Sequence, residues 1–292
     1  MDNILTIDGL IKKYDNFKLE ASVDIPKGYI TGIIGTNGAG KTTLISSILN
    51  ITKYDQGTIY FDGKSITSKD ILYKNQIGIV MDSNFYPSFW TTNILEKTIS
   101  SQYNNWSHDD FNSYLREFKI DRNKKISSLS KGMQMKLMIA TALAYDSKLL
   151  ILDEPTSGLD PISRDELLNI LLEYVQKNNH SVIFSTHITS DLDKIADFII
   201  YIFNGRILYK GTKSDLIEHY RIIKGPSTAL SEKQLASAVS IETSIYSFKA
   251  LVEVSHLGYF SNEKYKILFP TIEEIMIFTN KIFNKEDKNE SN

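Results

Sequence analysis

Gly35-Thr36-Asn37-Gly38-Ala39-Gly40-Lys41-Thr42 has the form G-x-x-x-x-G-K-[ST], a phosphate-binding loop. Tyr29–Ile34 before it reads as a short buried strand, and Thr43–Leu49 after it reads as a helix. The glycines let the backbone turn tightly and bring its N–H groups close to phosphate oxygens, and the helix N-terminus adds the positive end of its dipole. Gly35, Asn37, Gly38, Ala39, Gly40, Lys41, Thr42 and Thr43 are therefore the candidate phosphate-binding residues. Lys41 can reach the outer phosphates, and the Thr42 hydroxyl can ligand Mg²⁺.

Outward from the loop, the chain alternates strands and helices. Ile4–Lys12 alternates like an edge strand, and Phe17–Ile25 makes a second. Gly57–Gly63 is a strand bounded by turn residues, and Ile77–Met81 is a buried strand ending at Asp82. Asn93–Phe118 is helical, interrupted near Asn104-Asn105. A helix begins after Ser130, a good N-cap, and runs through Ala144. In it Met133, Met135 and Met138 read as packing rather than as a binding surface. Leu149–Leu152 is continuously apolar, as in a sheet covered on both faces, and closes in Asp153-Glu154. Ser163–Lys177 is an amphipathic helix, and Ser181–Thr186 is a buried strand ending at His187. This pattern predicts an α/β domain with a mainly parallel sheet and antiparallel strands near the N-terminus.

The totals narrow the function. The chain has 292 residues, of which 42% are hydrophobic and 23% charged, so a globular protein is expected. A net charge of −2 gives no reason to expect bulk nucleic-acid binding. The absence of cysteine removes disulfides, thiolate metal sites and cysteine nucleophiles together, and it suits a cytoplasmic protein. No basic segment precedes an apolar one at Met1–Leu5, so no secretory signal is evident. The longest apolar run, near Phe198–Phe203, is far short of the roughly 20 residues of a membrane span, so any membrane role is expected through a partner.

Ligands of open α/β sheets bind at strand ends, and the chemistry gathers there. Asp153 closes a strand and is placed to hold Mg²⁺; Glu154 follows it and can polarise a water for in-line attack on a γ-phosphate. With Tyr14, Asp82, Leu129-Ser130-Lys131-Gly132-Met133, Ser157-Gly158-Leu159-Asp160 and His187, these stretches stand in the order found in the nucleotide-binding subunit of ABC transporters, which residues 2–213 resemble.

The resemblance implies a P-loop NTPase fold of the ABC ATPase type. Residues 1–213 would form it, with a helical arm at about 83–147, and 214–292 would be a small C-terminal α/β extension with a polar tail from about 284. It implies ATP and Mg²⁺ as cofactors and ATP hydrolysis coupled to transport. Lys41, Glu154 and His187 would be catalytic, His187 contacting the γ-phosphate. Tyr14 would stack on adenine, Thr42, Asp153 and Asp82 would face the metal, and Ser130, Gly132 and Asp160 would act across a head-to-tail dimer enclosing two ATP. The subunits would be identical or related, the partner a separate transmembrane permease, and the location peripheral on the cytoplasmic face of the membrane. Small bacterial exporters of peptides or lipids, including antimicrobial-peptide and phenol-soluble modulin systems, have ATPase subunits with a similar tail and signature.

Two departures stand out. Asp82 occupies the position of the family's usual glutamine; it is shorter and anionic, unfavourable beside a γ-phosphate without metal. The family's Leu-Ser-Gly-Gly-Gln is here Leu-Ser-Lys-Gly-Met, in which Lys131 opposes the helix dipole locally but could meet phosphate across the dimer. Asn84–Trp90 holds four aromatics in seven residues, which suits either the family's groove for a membrane-subunit helix or core packing under the arm. In the extension, Ile222–Gly225, Ile241–Val254 and Tyr265–Phe269 read as strands and Thr271–Phe283 as a helix capped by Thr271.

Competing readings are a soluble ABC-type ATPase acting on the ribosome or nucleic acid, and an ATP-binding regulatory module. One phosphate loop, no long heptad region and no basic excess disfavour the first; Glu154 disfavours the second. Asn284-Lys285-Glu286-Asp287 matches a guanine-reading motif by letters only, since it follows no strand.

Overall fold

Apolar residues every second position, then unbroken apolar runs, give the two kinds of strand in this computed structural model. It describes residues 2–290 except 68, 69, 71, 104, 179, 228, 229 and 261–263, with side chains to residue 281 apart from 178. Asn104, at the expected helix interruption, and the side chains of Asn284–Asp287 lie outside the described residues.

The chain divides into two compact units, the first comprising Met1–His187 and Ile200–Lys210, the second Ile188–Ile199 and Gly211–Asn292. The sequence predicts a boundary at 213, with 188–199 in the first domain; the compact units instead part at Gly211 and assign 188–199 to the second.

In chain order the first stretch contains β1 (Asn3–Tyr14), β2 (Phe17–Pro26), β3 (Ile30–Ile34), α1 (Lys41–Ile48), β4 (Gln56–Phe61), β5 (Lys64–Ile66) and β6 (Ile77–Val80). There follow α2 (Thr92–Ser100), α3 (His108–Glu117), α4 (Lys131–Leu143), β7 (Leu149–Asp153), α5 (Pro161–Asn178) and β8 (Ser181–Thr186). After α6 (Thr189–Ile195), β9 (Phe198–Phe203) and β10 (Arg206–Thr212) complete a ten-stranded sheet of order β5-β4-β1-β2-β10-β9-β3-β8-β7-β6.

The mainly parallel core holds: β3–β8, β8–β7 and β7–β6 pair in parallel, while β1–β2, β1–β4 and β4–β5 are antiparallel. Every residue of β3, β7 and β8 is buried, which explains the apolar runs Leu149–Leu152 and Val182–Phe184 within them. Each fully buried Leu or Ile there contributes about 1.5–3 kcal/mol. The expectation of an edge at β1 is corrected. That strand is paired on both sides, its alternation reflecting one covered face, and β5 and β6 stand at the sheet's ends.

Asn204 and Gly205, both with positive φ, turn the chain from β9 into β10. The Gly205 N–H donates to Ala39 O at 2.9 Å and Gly205 O accepts from Glu20 N–H at 2.7 Å, so this turn ties the phosphate loop to β2. A Cβ at Gly205 would lie 1.8 Å from Lys18 O, and its φ is +75°. Gly205→Ala is therefore expected to lower stability by about 3 kcal/mol or more, read as a fall in Tm by thermal denaturation.

The second unit contains α6, then α7 (Lys213–His219), β11 (Tyr220–Pro226), α8 (Glu232–Ser237), β12 (Ala238–Thr243), β13 (Ser247–Glu253), β14 (Lys266–Leu268) and α9 (Ile272–Glu290). Its strands form an antiparallel sheet of order β12-β13-β11-β14. Here the single strand read over Ile241–Val254 is corrected to parts of two, because the Ser244 N–H and Oγ both bond Ser247 O and close a turn. Thr271 caps α9 as expected, with Glu274 returning a bond to the Thr271 N–H.

Candidate active site

The phosphate loop joins β3 to α1. Gly40 has φ +113°, and a Cβ there would come within 2.9 Å of the Phe17 ring, so a side chain is disfavoured on both grounds. Ala39 and Gly40 are buried while Asn37, Gly38 and Thr42 are exposed, leaving the loop's outer rim open. Thr43 is partly buried, and its carbonyl accepts from Ser47 Oγ at 2.8 Å within the helix.

Lys41 is 6% exposed, and its ammonium donates to Gly35 O at 2.9 Å and Thr36 O at 3.4 Å. The same Nζ lies 3.4 Å from Glu154 Oε1. Glu154 sits one residue past β7, with φ +51°, an uncommon conformation for a non-glycine residue. Its other oxygen accepts from the His187 N–H at 3.3 Å and lies 2.7 Å from His187 Nδ1. A carboxylate can only accept, so Nδ1 carries a proton and Nε2 is left for another partner. The structure thus brings together three residues from different strand ends: Lys41 after β3, Glu154 after β7 and His187 after β8.

Asp153, 1% exposed, faces the same floor. Its Oδ2 accepts from the Thr42 hydroxyl at 2.7 Å. Its Oδ1 is buried with no hydrogen-bond partner among the described residues, and so is the Oγ of Ser185, its register partner on β8. Burial pushes the Asp153 carboxyl above its ordinary value of 3.8; the neighbouring hydroxyls of Thr42 and Ser185 oppose this, and the charges of Glu154 and Asp82 add to it. A buried, orphaned carboxylate oxygen beside a threonine hydroxyl fits a hard divalent cation such as Mg²⁺. No cluster of three or more His, Cys, Asp or Glu side chains suited to a metal occurs among the described residues, so phosphate and water oxygens would complete the shell. Asp82 is exposed two residues after β6, whose Val80 pairs with Leu152 of β7, so it stands at the same sheet end.

Tyr14 is half-exposed, with its ring 6.3 Å from that of Phe17 and the Lys12 ammonium 5.0 Å above it. Phe17 in turn contacts the Gly40 position, which places this aromatic pair beside the loop.

The remaining motif residues form a separate patch. Ser130 caps α4, its Oγ accepting from Met133 N–H at 3.2 Å. Gly132 lies against Leu159, where a Cβ would come within 3.3 Å, and the Lys131 stem passes Gly158. Asp160 caps α5, accepting from the N–H groups of Ile162 and Ser163 and from the Ser163 hydroxyl, bonds that hold its carboxyl below the usual range.

Sequence reasoning missed the bracing residues. Gln134 donates to Ile126 O and Leu129 O and so fixes the turn before Ser130, and Phe17 seats Tyr14. Neither carries a motif; only three-dimensional contact reveals them. In Asn84–Trp90 the two readings split: Phe85 and Phe89 are exposed, whereas burial raises the Tyr86 hydroxyl pKa, only partly opposed by a hydrogen bond with Thr141 of α4. Met135 and Met138 are core residues, as read.

The ABC transporter family profile matches residues 19–157. The chain is 32% identical over 218 residues to the lantibiotic transport ATP-binding protein SrtF of Streptococcus pyogenes, an alignment covering 70% of this chain and 89% of that protein. It is 27% identical over 243 residues to the bacitracin transport ATP-binding protein BcrA of Enterococcus faecalis, covering 82% and 78%. Among solved structures, an ATP-binding subunit of an ABC transporter superposes with a TM-score of 0.67 at 28% identity, covering 73% of this chain and 91% of that one. CbiO1 from Clostridium perfringens, part of the ABC transporter complex cbiONQ, gives 0.63 at 27%, covering 74% and 91%.

Proposed function

This chain belongs to the ABC transporter ATP-binding family, and from that premise we propose how its residues bind and hydrolyse ATP and what they drive. The observation that carries the proposal is the convergence of Lys41, Glu154 and His187 above a buried Asp153–Thr42 pair. Lys41 leaves Glu154 to bind the outer phosphates. Glu154 then accepts a proton from the attacking water, and His187 Nε2 meets the γ-phosphate. Thr42 and Asp153 would hold Mg²⁺, with Asp82 at its margin; the ion supplies neutralisation of charge on the phosphates. Tyr14 stacks on the base, a contact worth about 0.5–1.5 kcal/mol beyond burial.

Ser130, Gly132 and Asp160 form the face presented to a second ATPase subunit, so that two ATP are enclosed head to tail. Both Ser130 and Asp160 already cap helices, and capping fixes the direction of the groups they would present. Residues 1–213 are the motor and 214–292 an accessory extension. No helix among the described residues is long and apolar enough to cross a membrane. The chain works with transmembrane components, and exposed Phe85 and Phe89 are the side chains offered to such a partner at the cytoplasmic face. The kinship with lantibiotic and bacitracin transport proteins favours small amphipathic or antimicrobial peptides as cargo.

The test is size-exclusion chromatography of Glu154→Gln. A dimer that forms with ATP and Mg²⁺, and falls apart when EDTA is added, is expected. A chain that stays monomeric with ATP bound would remove the two-site sandwich.

A further inference from the structure

The second unit carries a surface that the nucleotide chemistry does not use. β12 and β13 are joined through Ser244-Ile245-Tyr246, and this tip is held by its own hydrogen bonds. The Ser247 N–H donates to Ser244 Oγ at 3.1 Å, and Ser227 Oγ donates to Ile245 O at 2.9 Å. The side chains so presented are Ile245 and Tyr246, 83% and 85% exposed. A polar tip would close the same turn without leaving two large apolar side chains in water.

Three residues past Tyr246, about 10 Å along the strand, the register sets Lys249 of β13 opposite Lys224 of β11, and Lys224 opposite Lys266 of β14. Directly opposed like charges destabilise a sheet. Lys249 is neutralised by Glu274 of α9 at 2.7 Å. Lys224 and Lys266 are exposed, and neither forms an ion pair among the described residues, although Lys224 lies near Glu274. On β12 the acidic Glu242 is taken by Lys281.

An aliphatic–aromatic pair at the outermost point of a hairpin suits the boundary between headgroups and acyl chains, where tyrosine concentrates. Exposed lysines behind it, outside any ion pair among the described residues, suit anionic headgroups. We propose that the Ile245-Tyr246 tip and the Lys224–Lys266 row form a contact site for an anionic lipid surface. An acidic protein could cover both features, but it would give no partition to protein-free vesicles, which is what the test reads. This contact is independent of ATP hydrolysis and gives the chain a hold on the membrane in addition to any partner.

The chain has no cysteine, so Ile245→Cys in the full-length protein can carry a single environment-sensitive fluorophore. Vesicles of phosphatidylcholine, with and without one-third phosphatidylglycerol, are the probe. Blue-shifted emission and co-sedimentation are expected with the anionic vesicles only, weakening as salt is raised. In the unlabelled chain, Lys224→Gln with Lys266→Gln should reduce the partition about 25-fold, and Tyr246→Ser should also weaken it. Equal partition to neutral vesicles, a lysine variant that binds like wild type, or binding with a silent probe would each overturn the proposal. Unchanged circular dichroism and thermal denaturation in every variant show that the second unit keeps its fold, and unchanged ATP turnover makes the outcome separable from the ATPase reading.

Discussion

Glu154→Gln is expected to lower ATP turnover by about two to four orders of magnitude, the range for removing a positioned general base. Glutamine keeps the size of the side chain and an acceptor for the His187 N–H, but it cannot take a proton from water. The surrounding geometry makes the effect specific to chemistry. Glu154 is 3.4 Å from the Lys41 ammonium, and without its charge Lys41 keeps only the carbonyls of Gly35 and Thr36. ATP then meets a lysine that no carboxylate holds, and no anion faces the γ-phosphate. Affinity for ATP should therefore be retained or increased while kcat collapses. Phosphate release under saturating ATP, with equilibrium nucleotide binding measured beside it, separates the two. A fall smaller than about ten-fold, a tenth of the lower bound for such a base, would move the proton acceptor elsewhere, Asp82 being the carboxylate at the neighbouring strand end.

The sequence exposes this site unevenly. The phosphate loop, Asp153 and Glu154 are legible because local grammar produces them: a buried apolar strand must end, and the polar residues at its end face the ligand. The parallel core is legible for the same reason, since β3, β7 and β8 are buried throughout and carry runs of large apolar residues. Alternation says only that one face of a strand is covered, so β1 looked like an edge although β2 and β4 flank it. The turn at Ser244–Tyr246 escaped because it holds no glycine, proline or asparagine, and serine hydrogen bonds do the closing. Tyr14, Phe17 and Gly40 meet only through tertiary contact, so Tyr14's place beside the loop was knowable from family resemblance but not from spacing. The helix-capping duties of Ser130 and Asp160 differ again: the first follows from its place before an apolar run, while the second shows only in the bonds Asp160 accepts from Ile162 and Ser163.

Asp153→Asn should push activity and stability in opposite directions. The wild-type carboxylate is almost wholly buried, and among the described residues neither its Oδ1 nor the neighbouring Ser185 Oγ makes a well-formed hydrogen bond. Such an arrangement is costly without a cation, and burial accordingly raises the carboxyl pKa above 3.8. Asparagine preserves the shape and the acceptor for the Thr42 hydroxyl, removes the charge and can turn N–H donors toward Ser185. In EDTA near neutral pH the variant should be more stable than wild type by about 1 kcal/mol or more, read by chemical denaturation. The sign with pH follows from the raised value. A carboxyl that holds its proton more tightly when folded opposes folding once ionised, so the variant's advantage is full above the folded pKa and shrinks as pH falls through it toward 3.8. ATP turnover with Mg²⁺ should meanwhile fall at least about a hundred-fold, because the buried oxygen suited to the ion is gone. A variant less stable than wild type at neutral pH would show that Asp153 is satisfied by the protein alone. A variant that still turns over ATP would take it out of the metal site. Stability gained together with activity lost is the signature of a carboxylate held in place for a cation the folded chain must recruit.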